Sequence, residues 1–109
     1  MTVQSTRIVE NFTVPVTPSL CIVSHKHISE MYDHYDSGLC DQSTSNAVAL
    51  SLSEMTGEKV RVFRRNNQAF CKTSAGVHKL PDVVYRWLVD ADSGVSVRPF
   101  RFFANLENP

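Results

Sequence analysis

The stretch Lys59-Val-Arg-Val-Phe-Arg-Arg-Asn-Asn-Gln-Ala-Phe-Cys-Lys72 predicts a β-hairpin that closes on Asn66-Asn67. Val60 and Val62 alternate with charged or aromatic residues, as expected of a strand that buries one of its faces. Asparagine tolerates the positive φ that a two-residue hairpin turn requires. The stretch carries five basic residues and no acidic residue, so we expect a hairpin with cations and an aromatic ring on its outer face.

The charges of the whole chain are divided along its length. The 109 residues include eleven basic and eleven acidic side chains, which gives a formal net charge of zero. Residues 1–58 hold two basic against seven acidic residues, a balance of −5, and residues 59–109 hold nine against four, a balance of +5. The two halves therefore either pair within the fold or form complementary surfaces of neighbouring molecules.

The length and composition are typical of one globular domain. Residues 1–18 predict an N-terminal arm or edge strand, because Pro15 removes a backbone donor, and residues 19–109 predict a single globular domain. No apolar run approaches the roughly 20 residues that cross a bilayer, and the N-terminus lacks the apolar core of a signal peptide. We therefore expect a cytoplasmic protein with no membrane partner.

The chain has three cysteines, Cys21, Cys40 and Cys71. Their odd number and wide spacing argue against a disulfide framework.

The remaining periodicities predict three helices and further short strands. A buried strand over 20–23 leads to a helix that Ser24 caps and Gly38 ends. A second helix follows a polar loop, whose hydroxyls offer caps, and ends at Gly57. A third helix spans about 80–91, and a final strand spans 95–103. The sequence thus predicts an α+β fold with a small antiparallel or mixed sheet of four to five strands and about three helices packed on one face.

Several landmarks of this order resemble small, uncharacterised proteins encoded by tailed phages and prophages. The matching residues are His27-Ile28, Ala47-Val-Ala-Leu50, Val60-Arg-Val62, Leu80-Pro81, Asp92-Ser-Gly94 and Pro99-Phe-Arg-Phe102. The resemblance covers about residues 20–103 and implies a phage-like origin and a host-cell cytoplasm. It implies no established activity.

A metal site could combine imidazole and thiolate ligands from the first half of the chain, which would suit zinc. The candidate ligands are His25, His27, His34, Cys40 and Cys21. Their spacing is poor, because His25 and His27 lie on different sides of a helix and no Cys-x-x-Cys pair is present. We therefore expect no metal and no cofactor.

Nucleophilic catalysis would require a cysteine or serine beside a positioned base. Cys71 lies among cations that could lower its pKa, and His78 follows seven residues later, although strand alternation could equally turn the sulfur into the core. Neither a nucleophile elbow nor a glycine-rich phosphate loop occurs. We do not expect an enzyme.

Nucleic-acid binding is one hypothesis for the hairpin. Its five cations could contact phosphates, while Phe63 or Phe70 could stack on a base. Five neutralised phosphates would give a salt slope of roughly −4 to −5 on duplex DNA. The zero net charge argues against this hypothesis, since dedicated nucleic-acid binders are usually basic overall.

Protein recognition is the hypothesis that we favour, because arginine and aromatic residues are the usual anchors of interfaces. The predicted partner-binding residues are Arg61, Phe63, Arg64, Arg65, Lys72, Arg98 and Arg101. An acidic host protein serving defence, transcription or replication would complement them and would be bound stoichiometrically. The opposed charges of the two halves also allow homo-oligomers.

Overall fold

The structure, a computed structural model, describes residues 19–38 and 41–106. The predicted arm of residues 1–18 and Cys40 lie outside the described residues. The elements are β1 (Ser19–Val23), α1 (His25–Ser37), α2 (Gln42–Ser45), α3 (Ala47–Thr56), β2 (Arg61–Arg65), β3 (Gln68–Thr73), β4 (Gly76–Lys79), α4 (Asp82–Asp92) and β5 (Phe100–Ala104).

The α+β class is confirmed, but the described strands form two antiparallel sheets where the sequence suggested one. β1 pairs with β5, and β2, β3 and β4 form a three-stranded meander in that order. The meander closes through short turns, whereas β1 finds its partner at the other end of the described chain. The predicted final strand is also shorter than expected, because β5 begins only after Pro99, which cannot donate to a ladder.

The predicted hairpin is confirmed at its turn, and the structure adds a third strand to it. Asn66 and Asn67 have φ values of 54° and 62°, the left-handed conformation that the two-residue turn requires. β2 and β3 pair from Arg61 opposite Lys72 to Arg65 opposite Gln68. β4 then pairs with the edge of β3 that faces away from β2.

The helix boundaries follow local capping chemistry. The Ser24 side chain accepts from the His27 N–H, and Gly38 ends α1 with a φ of 71°. α3 is capped by Asn46, not by the hydroxyls of the preceding loop, because the Asn46 Oδ1 accepts from the Ala49 N–H at 2.8 Å. The same side chain donates from Nδ2 to the Val62 carbonyl at 3.2 Å and so ties α3 to the meander.

One cluster of buried apolar side chains joins both sheets and the helices. Its largest fully buried members are Met31, Leu52, Leu80, Val23, Val48, Val60 and Val84. Trp87 on α4 packs against this cluster while its Nε1 donates to the Arg98 carbonyl at 2.8 Å, which fixes the segment before β5. None of the described helices has the length and apolar character needed to cross a membrane.

Candidate binding face

The meander presents one face to the core and one to the outside. Residues that pair across antiparallel strands share a face, and neighbours along a strand alternate between faces. The register therefore puts eight side chains, here called the basic face, on the outside: Arg61, Phe63, Arg65, Gln68, Phe70, Lys72, Val77 and Lys79. This set contains four cations and no carboxylate.

The opposite face of the meander is buried and holds the basic face in place. Val62, Ala69 and Cys71 belong to the core cluster. His78 is buried beside them, with its Nε2 at 3.0 Å from the Thr73 hydroxyl. The strands that carry the cations are thus anchored by their other face.

The Phe63 and Phe70 rings pack against each other across β2 and β3. Their centroids are 5.8 Å apart and the planes are inclined by 23°. The guanidinium carbon of Arg65 lies over the Phe63 ring, 5.5 Å from its centroid. Such a cation–π contact holds the guanidinium in one orientation and leaves its N–H groups free to donate.

A shallow cleft of about 370 Å³ lies on the basic face. Phe63, Phe70 and Val77 give it an apolar lining, and Arg65 and Lys72 stand at its margin. Val77 is 49% exposed, so this lining is open to solvent. The cleft is large enough for one apolar side chain of a partner. The two cations at its margin would then lie beside that side chain.

The cations of the basic face differ in whether a carboxylate already neutralises them. The Arg61 Nη1 donates to Asp41 Oδ2 at 3.0 Å and to the Ser43 hydroxyl at 3.2 Å. Within the described residues, Arg65, Lys72 and Lys79 form no ion pair. Three cations are therefore available to an acidic ligand.

Arg64 lies on the other side of the meander from Arg65. It pairs in register with the buried Ala69, and its Nη2 donates to Asp92 Oδ2 at 2.5 Å. This ion pair lines a second cleft of about 320 Å³ between β2 and α4. Arg64 therefore does not join the basic face, although the sequence grouped the two arginines together.

Arg98 and Arg101 also belong to a different part of the fold. Arg101 lies in β5 opposite Ile22, in the two-stranded sheet. Arg98 precedes that strand and is exposed. Four of the seven predicted residues, Arg61, Phe63, Arg65 and Lys72, share the basic face.

Val77 and Lys79 complete the face and were missed in the sequence. Their strand has only four residues, which is too short for an alternation to be recognised. The signal that could have revealed it is the turn before it. There Thr73 and Gly76 are paired in register, and the Thr73 hydroxyl accepts from the Ala75 N–H at 3.1 Å.

Cys71 cannot act as the nucleophile considered in the sequence. Its side chain is fully buried, and this burial, with a smaller contribution from Cys21, raises the pKa of the Cys71 thiol to about 11. The nearby cations point to the opposite face of the sheet and do not offset the burial. A thiol of this kind is inert at neutral pH.

The histidines of α1 do not converge on a metal site. Among the described residues, no group of three or more histidine, cysteine or acidic side chains could hold a metal ion. His27 instead bonds to Glu54 Oε1 through Nε2 at 2.7 Å. Cys40, another candidate ligand, lies outside the described residues.

No family model, curated protein or solved structure matches this chain. The phage-like resemblance therefore stays a prediction. Any functional assignment depends on the geometry of the basic face and on the chemistry of its side chains.

Proposed function

We propose that this protein is a binding module whose basic face takes up an acidic segment of a partner protein. The observation that carries this proposal is the position of Arg65 over Phe63, 5.5 Å from the ring centroid, on a face without carboxylates. A guanidinium held over a ring has its donors directed outward, where a partner carboxylate can accept two of them. Lys72 and Lys79 add two charges that have no ion-pair partner among the described residues.

The cleft specifies the partner further. Its apolar lining by Phe63, Phe70 and Val77 suits an aliphatic or aromatic side chain, and the cations at its margin suit carboxylates before and after that side chain. Buried aromatic and arginine anchors of this kind dominate the energetics of many protein interfaces. The expected ligand is therefore a segment in which acidic residues flank one apolar residue.

The phage-like resemblance implies a host cell as the setting of this binding. We take the partner to be a host protein of defence, transcription or replication, bound stoichiometrically in the host cytoplasm. A chain of zero net charge can still present a positive face because the strand register collects four cations and no carboxylate among the eight side chains of the basic face.

Nucleic-acid binding is the second candidate, and the adjacent Phe63 and Phe70 rings are the observation that favours it. Two features argue for the protein partner instead. Arg65 already covers the Phe63 ring that a base would need. In addition, three available cations reduce the expected salt slope to roughly −2 to −3, a small electrostatic footprint.

Affinity capture from a host lysate, with and without nuclease, tests the proposal. The wild-type protein should capture a partner that survives nuclease treatment, and the double variant Arg65→Glu, Lys72→Glu should not. Arg98→Glu is the matched control, because Arg98 is an exposed cation in a different part of the fold from the basic face. Capture that persists in the double variant would show that the basic face does not bind the partner. Capture that nuclease abolishes would favour nucleic-acid binding.

A further inference from the structure

The three-stranded meander has two edges, and they differ in how their backbone groups are used. At the β2 edge, the Val62 carbonyl accepts from the Asn46 Nδ2 at 3.2 Å, so the side chain that caps α3 occupies this edge. At the other edge lies β4, which pairs with β3 and with no other described strand. The β4 edge is therefore the one on which a further strand can pair.

The register identifies the backbone groups of β4 that point outward. In an antiparallel ladder, residues that exchange hydrogen bonds with the neighbouring strand alternate with residues whose N–H and C=O point away from it. The Leu80 N–H donates to the Ala69 carbonyl at 2.8 Å, so the backbone of Leu80 faces β3. Along the unbroken register, Val77 and Lys79 then direct their N–H and C=O groups away from β3. The hydrogen bonds of the described residues use none of these four groups.

The side chains of the same two residues belong to the basic face. Val77 is paired with Lys72 and Lys79 with Phe70. Val77 lines the cleft, and Lys79 forms no ion pair within the part of the chain that the structure describes. The border of the sheet thus combines unpaired backbone groups along its edge with an apolar and a positive side chain on its outer face.

We propose that the acidic segment binds as an added strand, antiparallel to β4, and extends the meander to four strands. This inference rests on the proposed function and specifies how its ligand is held. Backbone hydrogen bonds to Val77 and Lys79 would supply affinity, and the alternate side chains of the added strand would supply specificity.

The pairing predicts the spacing of the ligand residues. Side chains directly opposite each other in an antiparallel pair lie on the same face and interact. Charge complementarity places an acidic residue opposite Lys79. Because the added strand runs in the opposite direction, the residue two positions later is opposite Val77 and is apolar. The residue between them points to the other face, so the ligand reads acidic, any residue, apolar.

A second copy of this chain is another occupant that a free edge can attract. Two copies joined through antiparallel β4 strands would place their basic faces side by side in one continuous sheet. The cations of both faces would then share one surface, with no carboxylate among the side chains of either face. Like charges at this distance repel, so an acidic strand fits the edge better than a second copy does.

A short edge strand that carries a lysine is also a common protection against aggregation, so the test must detect pairing at the edge itself. The probe is the synthetic peptide Thr-Glu-Thr-Ile-Thr-Glu-Thr with blocked termini. Paired with β4, its first glutamate is opposite Lys79 and its isoleucine is opposite Val77. The edge-methylated peptide carries N-methyl groups on these two residues, whose N–H groups would donate to β4. The control peptide carries them on the threonines that directly follow, whose N–H groups would point away from β4.

Isothermal titration calorimetry measures the affinity, and amide hydrogen exchange followed by NMR locates the pairing. We expect edge methylation to weaken binding on the order of tenfold, because two backbone hydrogen bonds are lost, and control methylation to leave it unchanged. At a peptide concentration of about ten times Kd, exchange of the Val77 and Lys79 amides should slow about tenfold. The Arg64 amide, on the opposite edge of the meander, is the internal reference and should not change.

Equal affinity of the two methylated peptides, or unchanged exchange at Val77 and Lys79, would overturn the strand pairing. The proposed function would still stand if the unmodified peptide bound the wild type and not the variant Arg65→Glu, Lys72→Glu. A peptide that does not bind, beside a partner captured from lysate through the basic face, would also overturn the strand pairing alone. Failure of both peptide binding and lysate capture would contradict the proposed function as well. A dimer in light scattering whose Val77 and Lys79 amides exchange slowly without peptide would assign the edge to a second copy and overturn the inference.

Discussion

The guanidinium of Arg65 lies over the ring of Phe63, 5.5 Å from its centroid, on a face of the meander that carries no carboxylate. Its neighbour Arg64 points to the other face and bonds to Asp92. Two adjacent arginines therefore have different roles, one available to a ligand and one within the fold. Substitutions at the two positions should affect different measurements.

At Arg65, we expect the planar guanidinium to matter beyond its charge. Arg65→Lys keeps the positive charge but loses the planar fork that donates two hydrogen bonds to a carboxylate. Binding of the captured partner should weaken about tenfold, the equivalent of about 1.4 kcal/mol. Isothermal titration calorimetry measures the affinity for the partner, and Lys72→Arg is a second variant that retains its charge. Equal affinity of Arg65→Lys and the wild type would show that only the charge at position 65 is recognised.

At Arg64, we expect an effect on stability instead of binding. Arg64→Glu places a second carboxylate beside Asp92, and the free energy of unfolding should fall by about 1 kcal/mol because both side chains are partly exposed. For a domain of this size, that lowers the melting temperature by several degrees. The double variant Arg64→Glu, Asp92→Arg restores an ion pair and should recover most of the loss. No recovery would mean that the pair contributes nothing.

How far the sequence predicts this fold depends on whether the determining interactions are local. The hairpin turn at Asn66-Asn67 and the helix stops at Gly38 and Gly57 follow from single residues and were predicted correctly. The face on which Arg64 and Arg65 lie depends on strand register, and a shift by one residue moves every side chain to the opposite face. Only the structure fixes that register, because the sequence is compatible with Arg64 on either face of the hairpin.

The same limit applies to contacts between distant segments. Ser24 was predicted as a helix cap from its local position, but its link through His27 to Glu54 joins residues 27 positions apart. The division into two sheets likewise depends on β1 meeting β5 across the described chain. Neither relationship has a local signature in one sequence.

Asn46 connects α3 to the strand that carries the basic face, so its loss should destabilise the fold. Asn46→Ala removes the cap to Ala49 and leaves the Val62 carbonyl without its amide donor. We expect a loss of about 2 kcal/mol in urea unfolding. Asn46→Ser keeps a capping oxygen without the amide and should lose less; equal losses for the two variants would show that the cap itself contributes little.

Asp41 should titrate below its ordinary range because of its neighbours. The Ser43 hydroxyl and N–H donate to its carboxylate, and Arg61 lies beside it, so the pKa of Asp41 is lowered. The ionised carboxylate therefore stabilises the fold above the ordinary pKa of aspartate, and this contribution is lost as the pH falls through the lowered value. In Ser43→Ala, an NMR titration should find the pKa of Asp41 moved upward. An unchanged pKa would assign the shift to the backbone N–H of residue 43 and to Arg61, and Glu54, which does not contact Ser43, serves as the internal reference.

Cys71 should make the fold sensitive to alkaline pH. Burial raises the pKa of this thiol to about 11, whereas in the unfolded chain it ionises near its ordinary value of about 8.5. The folded state then holds its proton while the unfolded state loses it, so stability is complete below about pH 8.5 and falls as the pH rises toward 11. Between pH 7 and pH 10, urea unfolding of the wild type should lose about 2 kcal/mol more than that of Cys71→Ala. Because both proteins share all other lysine and tyrosine titrations, identical losses would mean that the thiol ionises as readily in the fold as outside it.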